Sequence, residues 1–516
     1  MAQRAVAEQA GGRAMWTALG SLLLGISLSA LDQTIVSTAL PTIVGDLSGA
    51  SHLSWVVTAY MLGSVALTPL WGKLGDQYGR KKLYQMAIVV FLAGSVLSGQ
   101  ARSMDELIGF RGLQGLGAGG LVVLGQALIS DVVGTRRRAR YQGLIGAVWG
   151  AASVAGPLLG GLLTEHASWR WIFYVNLPVG ALALLATATA LRAPSRREHP
   201  VIDYRGMVLI TAIASALVMI TSLGGAEWGW DSPQIIGLAV PAALAVPAFW
   251  YAERHATDPV LPLALLRQRT FAVCAAIAFL IGFVMFSALT YLPLYLQTGR
   301  GVPPAMSGLH LLPLVGGLVL TSIVSGRLVA RTGHWKVFPV TGMALVTVAL
   351  LLLTGLTATT SAWWMSLTFL LLGLGEGMVI QMLVLIVQLS VPASELGTAT
   401  AGSTMFRSIG SAVGVAVLGT VFTRSVTGRL GEALAGARLP GGLTATALRE
   451  DPGKLSTLPP AVRSLARQAY GASVAELFWY AVPPAAAAFV LACLLRERPV
   501  PPPDRATPRA SPAAEA

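Results

Sequence analysis

The sequence predicts an all-α polytopic membrane protein, and three observations carry that reading. Of 516 residues, 54% are hydrophobic and only 11% are charged. A soluble globular chain carries about 25% charged residues, so this one has too few to cover a soluble fold of its size. The apolar residues gather in continuous runs of about 20, the length that crosses the hydrocarbon core as a helix. Strands of a membrane barrel would instead alternate in polarity over about 10 residues. The two cysteines, Cys274 and Cys493, both lie in apolar runs, which excludes a disulfide scaffold. High hydrophobicity with little charge also excludes a disordered chain.

Fourteen runs read as spans: 16–40, 54–71, 83–101, 105–129, 141–164, 171–191, 206–224, 235–252, 271–296, 305–328, 337–356, 362–389, 399–423 and 475–495. The first follows Arg4 and Arg13, as a signal peptide would, but it is long for one. It also holds an acid, Asp32, and ends at Pro41, so it reads as a retained helix.

Basic residues fix the orientation. With the N-terminus inside, Lys73, Arg80, Lys81 and Lys82 fall on the cytoplasmic side, as do Arg136, Arg137, Arg138 and Arg140. Arg192, Arg196, Arg197 and Arg205 follow on the same side, whereas the short outer loops hold only Arg102, Arg170 and Arg300. One inner loop, near Glu395, has no Lys or Arg. The net charge of +13 is thus largely an orientation signal. The basic residues form no single patch, so no nucleic-acid partner is expected. Both termini are expected in the cytoplasm, with a count of twelve spans if 206–252 lies on the membrane.

The expected organisation is a cytoplasmic N-terminus (1–15), a six-helix bundle (16–191), an inserted helix pair (206–252), a second six-helix bundle (271–495) and a disordered tail (496–516). Residues 424–474 read as a long polar outer loop containing a short amphipathic hairpin. A hint of duplication supports two halves. Gly72-Lys-Leu-Gly-Asp-Gln-Tyr-Gly-Arg80 follows span two, and Gly326-Arg-Leu-Val-Ala-Arg-Thr-Gly-His334, an eroded copy, follows span ten. Transporters are commonly built from such halves, with the substrate site between them.

These residues also carry a resemblance. The 72–80 segment, with Gly72, Asp76, Gly79 and Arg80, resembles the signature loop of the major facilitator superfamily. Leu31-Asp32-Gln-Thr34 through Pro41 resembles the first-helix motif of its fourteen-helix drug:proton antiporter branch. Gly156-Pro157-Leu-Leu-Gly160-Gly161 resembles the antiporter motif. Arg111-Gly-Leu-Gln-Gly115 resembles the motif assigned to proton transfer, and Trp169-Arg-Trp-Ile-Phe173 with Asn176-Leu-Pro178 is similar to that branch too. The resemblance implies the major-facilitator fold: two six-helix bundles plus an inserted pair. It implies that Asp76 sits at the N-terminus of span thirteen, where the helix macrodipole favours a carboxylate. It further implies that Arg80 holds carboxylates across a cytoplasmic gate, and that the span-five glycines form a seam sealed against leak.

Charges inside the apolar runs are the remaining candidates. A carboxylate within a bilayer costs ~2.5–3.5 kcal/mol on insertion scales and suggests function by default. Asp32 lies in the outer half of span one, where it can exchange a proton, pair with a cationic substrate or serve as a structural hydrogen-bond partner. Arg111 stays charged, so its expected role is electrostatic. Its comparable depth makes Asp32 the candidate partner, the alternative being a side chain that snorkels to the headgroups. Glu376, flanked by Gly375 and Gly377, lies near the midplane of span twelve. It reads as a second acidic site, or as a structural partner of Arg407.

No lysine is followed by Ser or Thr, so no Walker A loop and no use of ATP is expected. His and Cys are scattered without metal-ligand spacing, and no cofactor is expected. The reading is a non-enzymatic secondary exporter in the cell membrane, driven by the proton gradient. Its expected partners are protons, the lipid bilayer and hydrophobic or cationic small molecules such as drugs. The rivals are a dedicated exporter of one metabolite, lipid or self-made antibiotic, and a transport-dead sensor or scaffold.

Overall fold

The computed structural model describes residues 2–47, 53–133, 135–191, 203–224, 227–434, 448, 455 and 458–497. Among them the chain is almost wholly helical and forms no β-strand.

Helix α1 (Ala2–Leu47) runs straight through Pro41, so the expected stop there is not observed. Span two is two helices, α2 (Leu53–Ala66) and α3 (Thr68–Tyr78), divided where Pro69 enters the first turn of α3. Proline lacks the N–H that a continuing ladder needs but fits a first turn. Then come α4 (Arg80–Gln100), α5 (Met104–Val132), α6 (Thr135–His166), the short α7 (Trp171–Tyr174) and α8 (Asn176–Ala190). The Ser103 hydroxyl accepts from the Glu106 N–H and caps α5, whose first turn holds Asp105 and Glu106. The cap satisfies an otherwise orphaned donor at the helix start, and the acids suit the positive end of the macrodipole.

The middle of the chain forms α9 (Tyr204–Leu223) and α10 (Pro233–His255), capped by Asp203 and Ser232. After the short α11 (Leu263–Arg267) follow α12 (Arg269–Leu294), which ends in a π-turn at Tyr295–Gly299, and α13 (Pro304–His310). The last helices are α14 (Leu312–Thr332), α15 (Val337–Leu353), α16 (Ala362–Leu389), α17 (Leu396–Leu434) and α18 (Pro460–Cys493).

Thirteen helical segments among the described residues are long and apolar enough to cross a membrane. The run at 337–356 appears as α15, which has 17 residues. It is about 26 Å long, shorter than a ~30 Å hydrocarbon core. The described residues of the expected 424–474 loop are largely helix, because α17 and α18 both extend into it. Their extensions are held by a small apolar core of Val426, Leu430, Leu448, Leu455, Ala466 and Tyr470. Arg192, Arg196, Arg197 and residues 498–516 of the expected tail lie outside the described residues.

Helices α1, α2, α4, α5, α6 and α8 pack among themselves, and α12 and α14 to α18 do likewise. Between these groups, α6 lies along α14 and α3 lies along α17. The first seam needs small residues. A Cβ on Gly326 would meet the Ala139 carbonyl, and one on Gly143 or Gly146 would meet Ser322. Such close approach is how helices gain packing energy in lipid, which is as apolar as their own side chains. The inserted pair is not peripheral throughout: α9 touches α2 and α17, one from each group, while α10 packs on α9.

Candidate transport site

The signature segment is mostly helix rather than loop. Only Gly79 turns the chain, at φ 98°, a conformation open to glycine but strained for other residues. Gly333, at the same place in the eroded copy, has φ 79°. Gly72 serves close approach instead, since a Cβ there would lie 2.6 Å from that of Ala401 on α17.

This packing brings Asp76 to the N-terminus of α17. Its carboxylate accepts from the N–H groups of Gly397 (3.1 Å) and Thr398 (2.8 Å) and from the Thr398 hydroxyl (2.9 Å). Arg80 donates to Asp76 from Nε (2.9 Å) and Nη2 (2.6 Å). Through Nη1 it also donates to both oxygens of Asp131 on α5, at 2.6 and 2.7 Å. Nη2 reaches the Ala393 carbonyl at 2.6 Å, so the loop without Lys or Arg receives a cation from the other half. Lys73 and Gln77 both donate to Asp258, which follows α10. This charged cluster thus ties together both groups of helices and the inserted pair.

A second cluster lies inside the first group. Asp32 is fully buried, and Arg111 is 2% exposed. The Arg111 guanidinium donates to Asp32 Oδ2 at 2.5 Å and stacks over the Tyr60 ring, 4.1 Å from its centroid. Gln114 donates to Asp32 Oδ1 at 2.7 Å, and Asn176 donates to the same oxygen at 3.2 Å. The Ser95 hydroxyl accepts from Gln114 and Asn176 and donates to the Phe173 carbonyl at 2.8 Å. A buried charge is tolerable when paired and hydrogen-bonded in this way. The parts played by Ser95 and Tyr60 are not legible in the sequence, because a neutral polar side chain in an apolar helix gives no signal of the face it occupies. Asp131 and Asp258 resemble ordinary interface acids in sequence.

Glu376 is 1% exposed, and both its carboxyl oxygens lack a hydrogen-bond partner among the described residues. The structure does not bring it to Arg407, which is half-buried and makes no ion pair among those residues. Arg407 instead offers its backbone to α12, against Gly282.

The span-five glycines serve two contacts. Gly156 and Gly160 face α1: a Cβ on Gly160 would lie 2.5 Å from the Ile35 carbonyl, and one on Gly156 would meet Thr34. Thr34 also donates to the Ala152 carbonyl at 3.0 Å. The seam between the two groups uses Gly143 and Gly146, earlier in α6. A Cβ on Gly161 would have nothing within 4 Å, and Pro157 lies within the continuous helix. The motif therefore sets the position of α1, the helix that carries Asp32.

Comparison with known proteins places these features in a family. The family model of the Major Facilitator Superfamily matches residues 22–415. An uncharacterized MFS-type transporter of Mycobacterium tuberculosis is 42% identical over 480 residues, covering 93% of this chain and 69% of the relative. The multidrug transporter protein MdtP of Bacillus subtilis is 39% identical over 389 residues, covering 75% and 72%. In fold, the chain is similar to the human organic anion transporter MFSD10, with a TM-score of 0.62 at 15% identity over 91% of this chain and 99% of that one.

Proposed function

The chain belongs to the major facilitator superfamily of membrane transporters, and from that premise we propose that it is a proton-coupled exporter of hydrophobic or cationic small molecules. The multidrug naming of a relative supports the substrate class. The observation that carries the coupling is the buried Asp32–Arg111 pair with its Gln114 and Asn176 donors.

The mechanism is alternating access, with the latch of Asp76, Arg80 and Asp131 closing the cytoplasmic end. A proton arriving from outside neutralises Asp32. The bond to Arg111 then loses its ionic character, and α1 and α5 are freed to shift. Glu376, a buried carboxyl without a partner among the described residues, receives the cationic group of the substrate or a proton in its place. Inward return releases the proton and rebinds substrate. A potential of 100 mV adds ~2.3 kcal/mol per net charge moved.

The test is efflux of a cationic dye in a pump-deficient host and in proteoliposomes under a proton gradient, with Asp32→Asn beside wild type. Asn keeps the size but cannot carry the proton. Gradient-driven efflux per folded molecule is expected to fall at least about tenfold, the loss of an interaction of roughly 1.4 kcal/mol. Equal efflux by both proteins would refute the coupling role.

A further inference from the structure

Behind the charged latch lies a second polar cluster, wholly uncharged. Gln388 on α16 uses one oxygen to accept from the Ser130 hydroxyl on α5 (2.7 Å) and from the Gln142 side-chain amide on α6 (3.0 Å). Its own amide donates to the Thr400 hydroxyl on α17 at 3.0 Å. Ser130 is 1% exposed and the other three are fully buried. Two of the three bonds join helices of opposite groups.

The positions obey a rule. Ser130 and Gln388 are 258 residues apart, and the same 258 separates Gln142 from Thr400. It also separates Ala139 from Gly397 and Gly143 from Ala401. Those last four are the residues against which Gly326 and Gly72, matching glycines of the duplicated segment, are seated. The four polar residues are thus two repeat-related pairs meeting at the axis between the halves. A contact on that axis reports the approach of both halves at once.

We propose that Ser130, Gln142, Gln388 and Thr400 form a neutral lock at the signature-loop end of the molecule, with Gln388 as the positioning residue that holds the halves together there. The chemistry suits a contact that must open repeatedly. Separating ions in a buried seam carries a large desolvation cost; amides and hydroxyls part for a fraction of it and find water when the seam opens. The Gln142 side-chain oxygen has no partner among the described residues, so the closed knot is held by fewer bonds than its groups can make. The lock rests on the alternating-access reading only in that the halves must move.

The test reads the gate without substrate or proton gradient. Spin labels are placed at Arg137→Cys on α6 and Val337→Cys on α15, both at exposed positions, with Cys274→Ala and Cys493→Ala. Inter-label distances are measured in proteoliposomes. Gln388→Leu removes both cross-half bonds and is expected to raise the open-to-closed ratio about tenfold. Ser130→Ala, which deletes one hydroxyl and leaves the packing, is expected to raise it about threefold; it carries the test if Gln388→Leu does not fold. Thr400→Val cuts only the bond within one half and is expected to keep the wild-type distances. Unchanged distances in Ser130→Ala or Gln388→Leu, or equal opening by Thr400→Val, would overturn the lock. Because no transport is measured, a lock without proton coupling and coupling without a lock give different results.

Discussion

Glu376 differs from the other buried charges in having no partner among the described residues. Asp32, Asp76 and Arg80 are each surrounded by groups of opposite charge or by donors, so their replacement would disturb structure as well as function. Glu376→Gln removes a charge that no described residue balances, so the fold has little to lose. Efflux of a permanently cationic dye is expected to drop about tenfold, while a neutral hydrophobic substrate is carried within about twofold of wild type. Side-by-side efflux of the two checks this, and equal loss of both would count against cation pairing. Asp32, Arg111 and Glu376 are legible in the sequence because lipid makes a charge expensive wherever it is placed. Their partners are less so. Matching depths pair Asp32 with Arg111, which the structure joins; the structural pairing of Glu376 with Arg407 is not formed among the described residues. Depth along a helix can be counted from sequence; direction around it depends on neighbours the sequence does not show.

At the scale of an element, α6 shows what adjacent glycines can and cannot tolerate. Gly160 is pressed against the Ile35 carbonyl of α1, whereas Gly161 faces open space. Gly160→Val is expected to force α1 away and cost about 1–3 kcal/mol of stability. Gly161→Val is expected to change little. Thermal unfolding of the two variants in detergent decides between them, and equal melting would mean that α1 and α6 are not held by this contact. The sequence makes α6 visible as a span rich in small residues, without naming the helix each of them faces. Periodicity shows that a face is small, not which helix fills it. The signature segment resembles a loop for a related reason: its glycines and charges match loop chemistry, yet burial against α17 makes helix the better solution up to Gly79.

For the whole molecule, the notable arrangement is that the inserted pair joins the machinery rather than sitting beside it. Helix α9 bridges α2 and α17, and Asp258 beyond α10 accepts from Lys73 and Gln77 of the latch. Lys73 is 5% exposed. Asp258→Ala would leave that ammonium buried without its counter-ion, at an expected cost of about 1–3 kcal/mol. Lys73→Met combined with Asp258→Ala is expected to recover part of the loss, because no orphaned charge remains. The double-mutant cycle in thermal unfolding measures the coupling, and strict additivity would deny it. The all-helical membrane fold is legible because apolar runs of this length have few other solutions. The bridging role of α9 is not, because a lipid-facing helix and a helix buried between two others have the same composition.

The duplicated segment has one further consequence. Asp76 and Arg80 tie α3 to α17, but Ala330 stands where a second Asp76 would be. The two seams therefore part by different routes. Separating α3 from α17 strips carboxylates and a guanidinium of their partners, so dissolved salt and local voltage act on it. Along α6 and α14, Gly143, Gly146 and Gly326 are seated against Ser322 and Ala139, a contact made without charge. One seam is closed by charge and the other by the fit of small residues, so the duplicated halves meet on unlike terms.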